Sequence, residues 1–107
     1  MLIGAHISTA GGYKKMADYA AEVGCECAQI FAKSPRQWNA KPLADDAIAD
    51  MAELRAAGRL GPIFTHTSYL INITTTNEEM YEESIYALAD ELARGSKLRA
   101  AGVNTHM

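Results

Sequence analysis

Val103-Asn104-Thr105-His106 stands at the end of the sequence, and reading it as a strand decides the fold. Upstream, Tyr81, Ile85, Leu88, Ala89 and Leu92 repeat at steps of 4, 3, 1 and 3, the spacing of one helix face. Gly95-Ser96 is expected to kink that helix and Gly102 to close it. Before the helix come a loop, Thr67 to Asn77, and a short apolar run, Pro62-Ile63-Phe64-Thr65-His66, that reads as a strand. Leu43 to Ala57 is a further helix, with Ala47, Ile48, Met51 and Leu54 on one face. Asp45 and Asp46 lie in its first turn, where the helix dipole favours them, and Gly58 and Gly61 end it. Cys27 to Lys33 and Leu2 to Ile7 are the two remaining strands. Between them Ser8 and Thr9 offer capping hydroxyls and Gly11-Gly12 a turn. Tyr13, Met16, Ala17, Ala20 and Ala21 then form a helical stripe ending near Gly24.

The order is β-α-β-α-β-α-β, which argues for a parallel sheet with right-handed crossovers. Parallel strands need cover on both faces, and here a strand comes last with no helix after it. A small open doubly wound sheet, the alternative, usually ends on a helix. A (β/α)8 barrel runs to roughly 250 residues, so 107 residues are expected to be about its first half. The expected fold class is therefore α/β, a partial TIM barrel. Residues 1–107 are read as the N-terminal part of one barrel domain, truncated after the fourth strand.

Composition agrees with a globular chain: 49% hydrophobic residues exclude disorder, and no apolar run approaches the roughly 20 residues of a membrane span. The N-terminus has neither a basic nor a long apolar segment and reads as the start of a domain, not as a signal peptide. Ten Lys and Arg against thirteen Asp and Glu exclude a polybasic binder. The acids are unevenly spread, however. Cys27 to Ala44 contains none and carries Lys33, Arg36 and Lys41, and Leu54 to Asn77 again contains none. Cys25 and Cys27 are too close for an unstrained disulfide and read as reduced residues at the start of a buried strand, pointing to the cytoplasm.

All three histidines, His6, His66 and His106, fall at the C-terminal ends of strands, the functional edge of a parallel α/β fold. Imidazoles converging in a barrel mouth suit a borderline-soft divalent cation such as zinc. Helical zinc motifs, phosphate-cradling loops and nucleophile elbows are absent. A proline-bracketed polar loop, Ser34-Pro35-Arg36-Gln37-Trp38-Asn39-Ala40-Lys41-Pro42, follows the second strand.

Taken together, four stretches resemble the N-terminal part of endonuclease IV, across the whole chain and in order. They are Ile3-Gly4-Ala5-His6-Ile7-Ser8 with Gly11-Gly12, Arg36-Gln37-Trp38, His66-Thr67-Ser68-Tyr69-Leu70-Ile71-Asn72 and Asn104-Thr105-His106. That family comprises zinc-dependent apurinic/apyrimidinic endonucleases on a TIM barrel. The resemblance implies DNA repair by hydrolysis of the phosphodiester 5′ to abasic sites in duplex DNA. Three zinc ions there activate a hydroxide and stabilise developing charge. Matched by position, His66 and His106 correspond to two ligands of one zinc, whereas His6 corresponds to a non-ligand neighbour. Arg36, Tyr69 and Leu70, with Gln37 beside them, correspond to side chains that enter the minor groove and help expel the abasic nucleotide. Trp38 is expected to pack its loop onto the barrel rim. The remaining ligands belong to the C-terminal half, so these residues alone are expected to be inactive. Two other readings stand beside this one: a sugar isomerase or epimerase of the xylose isomerase-like group, and a non-catalytic fragment that self-associates through unpaired strand edges.

Overall fold

The computed structural model describes residues 1–107. Its elements run β1 (Gly4–His6), α1 (Tyr13–Glu22), β2 (Cys27–Phe31), α2 (Asp45–Ala56), β3 (Ile63–His66), α3 (Glu78–Lys97) and β4 (Gly102–Asn104). The four strands form one parallel sheet in the order β1-β2-β3-β4. Each element expected from the sequence is present, with strands trimmed at their ends. Gly102 opens β4 and does not close α3, and His106 lies two residues beyond the last strand residue.

Strand alternation separates two faces. Ala28, Ile30, Ile63 and Thr65 point to the helices and are buried, while Gln29, Phe31, Phe64 and His66 take the opposite face. The core sits on the helix side, where Met16, Ala17 and Ala20 of α1 and Met51 and Leu54 of α2 close over Ile30 and Ile63. Those two isoleucines are wholly buried, each contributing about 1.5–3 kcal/mol. On the inner face Phe64 stays 43% exposed, as expected of an arc of sheet that has not closed on itself.

The α3 helix continues through Gly95-Ser96 to Lys97. The apolar stripe does not pack on the sheet: Tyr81, Ile85 and Leu92 are 44–51% exposed, and Ser84, Ala87, Glu91 and Arg94 are buried instead. Both faces have helical period, and the helix turns its polar one inward because Glu91 and Arg94 find partners there.

All three helices end the same way. The amide two residues past each C-cap bonds back to a carbonyl five residues earlier: Cys25 to Ala20, Arg59 to Leu54 and Ala100 to Gly95. This closure needs a left-handed residue, and Gly24 and Gly58 supply it for α1 and α2. In α3 the position is Arg99, with φ 55°. Replacing Arg99 by Gly is therefore expected to stabilise the chain by about 1 kcal/mol, read as a higher urea midpoint at unchanged slope.

Candidate metal centre and nucleic-acid interface

β3 and β4 lie side by side with His66 opposite Asn104, so the residues just past both strand ends share one rim. There His66 Nε2 and His106 Nε2 face each other at 3.1 Å. His66 is buried, and its Nδ1 lies 2.8 Å from the Thr67 carbonyl oxygen. A carbonyl only accepts, so Nδ1 carries the proton and, in the neutral ring, Nε2 presents its lone pair to His106. The His106 Nε2–H donates to it.

His6 stands on the same rim, its ring centroid 6.2 Å from that of His66, but is engaged elsewhere. The Gln29 amide donates to its Nδ1 at 3.0 Å, and the Asn104 amide donates to Gln29 Oε1 at 3.1 Å. Phe31 packs against both imidazoles, 4.5 Å from His6 and 5.5 Å from His66. Partial burial, and secondarily the neighbouring His66, hold the His6 pKa below its ordinary value, which keeps the ring neutral at pH 7. Three histidines gather on one rim, but only two face each other. No third His, Cys, Asp or Glu joins them.

The loops after β2 and β3 are stitched together beside this pair. The Pro35 carbonyl accepts from the Ser68 hydroxyl at 2.7 Å and from the Tyr69 amide at 3.1 Å. Arg36 and Tyr69 thus flank one shared carbonyl. Arg36, Gln37 and Tyr69 are exposed, whereas Leu70 is half-buried. The Tyr69 ring meets Phe31 edge-on at 5.5 Å, so an aromatic row runs from Tyr69 through Phe31 to His66 and His106. Trp38 lines a cleft whose other wall is Glu83, Tyr86 and Ala87 of α3.

From below, buried charges grip the first loop. Lys33 Nζ donates to the Trp38 carbonyl at 2.8 Å, and Arg94 donates to those of Lys41 and Ala40 at 2.8 and 3.2 Å. Asp90 accepts from Arg94 Nε at 2.8 Å and lies 3.6 Å from Lys33. Glu91, wholly buried, accepts the Ser68 amide at 3.3 Å, while its second oxygen has no partner. Burial pushes the Glu91 carboxyl up from its ordinary value, against the opposing pull of Lys33.

No protein-family model matches the sequence. Among curated relatives, a probable endonuclease 4 of Halorhodospira halophila is 38% identical over 104 residues, which take in 97% of this chain and 35% of the relative. Another, of Chloroflexus aggregans, is 42% identical over 104 residues, or 96% of this chain and 36% of the relative. The crystal structure of endonuclease IV from Thermus thermophilus superposes with a TM-score of 0.89 at 34% identity, over 99% of this chain and 40% of that one. Over nearly its whole length the chain is similar to endonuclease IV proteins. It spans just over a third of the length of the curated relatives it matches. Its four strands and three helices correspond to the first half of the endonuclease IV barrel.

Within this endonuclease IV frame, sequence reasoning misses Lys33, Ser68, Glu91 and Arg94. Lys33, which the sequence offers only as one cation of an acid-free window, is 1% exposed at its side chain and is spent on loop backbone. One signal is present. A proline-bracketed loop has carbonyls that its own residues cannot satisfy, and partners have to come from elsewhere in the chain. Lys33, one residue before that loop, is the nearest donor.

Proposed function

We propose that this chain is part of a metal-dependent endonuclease that acts at abasic sites in duplex DNA, cutting the phosphodiester 5′ to the lesion. One observation carries the reading: a facing imidazole pair and two cross-linked, groove-sized loops share a single rim, joined through Phe31 and Pro35. The residues fit a zinc ion as a partial ligand set. Two nitrogens bound to one tetrahedral zinc stand about 3.3 Å apart, close to the separation of the two Nε2 atoms. The Thr67 carbonyl fixes the His66 tautomer as a metal-ligating histidine requires. His66 and His106 would hold the ion, and a bound zinc supplies Lewis-acid polarisation of a phosphodiester. The further ligands and the other two ions of the family would be held by residues beyond this chain.

Arg36, Gln37, Tyr69 and Leu70 are the groove-entering side chains in this reading. A planar cation and an aromatic wedge on adjacent loops fill the gap left by a missing base. Half-burial of Leu70 suits a side chain that backs Tyr69. No helix is long and apolar enough to cross a membrane, and we assign the protein to the cytoplasm, where its two free cysteines stay reduced. The exposed stripe Tyr81, Ile85 and Leu92 is the surface onto which the next helix of a completed barrel would pack.

The chain is expected to prefer duplex carrying an abasic site over intact duplex by about tenfold or more, without cutting either. Fluorescence anisotropy on the two duplexes, with a gel assay in zinc, measures this; equal affinity for both sinks the proposal. The uncovered inner face and the apolar stripe favour a second reading for the isolated polypeptide, self-association. Sedimentation velocity decides that point, a monomer counting against it. The sugar isomerase reading is set aside, since the relatives carry the name endonuclease 4.

A further inference from the structure

Ion clusters in cores are costly unless every member is paired, and well-packed apolar side chains serve stability as well or better. Lys33, Glu91 and Arg94 are all buried here, and what they hold is loop backbone. Lys33 and Arg94 between them bind three carbonyls of the loop after β2. Glu91 binds the Ser68 amide of the loop after β3, and Ser68 in turn donates its hydroxyl to the first loop at Pro35. Each loop therefore has an anchor in one charged cluster on the β2–α3 side, and the Pro35 carbonyl closes the connection between them. None of the three side chains reaches the surface that carries Gln37 and Tyr69.

We propose that Lys33, Glu91 and Arg94 are positioning residues that lock the loops after β2 and β3 into one preformed wedge. The proposal rests on the reading of those loops as the DNA-entering elements. A wedge already ordered before binding loses less conformational freedom on entering the groove, so the anchors would raise affinity without touching nucleic acid. The unpartnered oxygen of Glu91 leaves that carboxylate one bond short of full satisfaction, which makes the Ser68 contact its main hold on the second loop.

Two variants test it, each with a reporter on its own loop. Trp38 is the single tryptophan of the chain, so its fluorescence reads the first loop alone. Lys33→Met is expected to raise acrylamide quenching of Trp38 at least twofold, and Glu91→Ala to speed amide exchange at Ser68 and Tyr69 at least tenfold. Amides of Ile30 and Ile63 should exchange as before in both. Glu91→Gln, which keeps an acceptor for the Ser68 amide, should retain most of that protection. Affinity for abasic duplex should fall about tenfold in Lys33→Met and Glu91→Ala although no exposed loop side chain has changed. Unaltered quenching and loop exchange would overturn the proposal, and so would equal loss of protection in loops and core, which marks a general stability role. If the unaltered chain shows no preference for abasic duplex, the functional reading fails, while quenching and exchange still decide the positioning claim.

Discussion

Replacing His66 by Ala is expected to lower the affinity of this chain for zinc by at least about 100-fold, the upper range for loss of a mere outer-shell partner. The argument starts from the ring's confinement. His66 is buried, its Nδ1–H is held by the Thr67 carbonyl, and its Nε2 is already aimed at His106. Little ordering is left for a metal to impose on that side. His106 is exposed and follows the last strand by two residues, so it loses more freedom on binding. On the proposal that both nitrogens address one ion, His106→Ala should cost about as much as His66→Ala. His6→Ala is the internal control and should change zinc affinity by less than about threefold, since Gln29 occupies its Nδ1 and its ring packs on Phe31 instead of facing the pair. Competition against a chromophoric chelator measures all three variants. Equal zinc binding by His66→Ala and the parent, or a loss in His6→Ala matching that in His66→Ala, would remove the imidazole pair as the metal centre.

Much of this is legible in the sequence, for identifiable reasons. Strand and helix periods differ enough that short apolar runs ending in His6, His66 and His106 mark three strand ends, and parallel topology puts those ends on one edge. The pairing of His66 with His106, and the exclusion of His6, depend on register and on Gln29 reaching across from β2, which no local pattern records. The orientation of α3 is misread when hydrophobicity is taken as the sole guide to the buried face. Tyr81, Ile85 and Leu92 have the right spacing, yet Glu91 and Arg94 lie inward, since the loops above them hold amides and carbonyls that need partners. The burial of Lys33 goes unseen for the same reason. In each case the missing information is a hydrogen bond between residues remote in sequence, such as the 53 positions from Lys41 to Arg94.

Gly95 is tightly enclosed between α3 and the sheet, and Gly95→Val is expected to destabilise the chain by roughly 3 kcal/mol. Helix propensity alone gives the opposite sign, since glycine inside a helix is about 1 kcal/mol worse than alanine. Packing decides against it. A Cβ at Gly95 would stand 2.9 Å from Val103 Cγ2 and 3.1 Å from Thr65 Oγ1, where α3 presses on β4 and β3. Thr65 is wholly buried and cannot yield, so the helix must lift or β4 must shift. Gly95→Ala meets the same contacts with one methyl group and, offset by its better propensity, should lose roughly 1 kcal/mol. The functional consequence follows from chain connectivity. Val103 precedes His106 by three residues, so displacing β4 carries His106 away from His66. Zinc affinity of Gly95→Val should then fall about tenfold under conditions where the variant is still folded, although the substitution lies behind the sheet. Urea unfolding followed by Trp38 fluorescence gives the first number and zinc titration of the folded variant the second. A Gly95→Val chain as stable as its parent would mean that α3 does not sit on the sheet as closely as this packing requires.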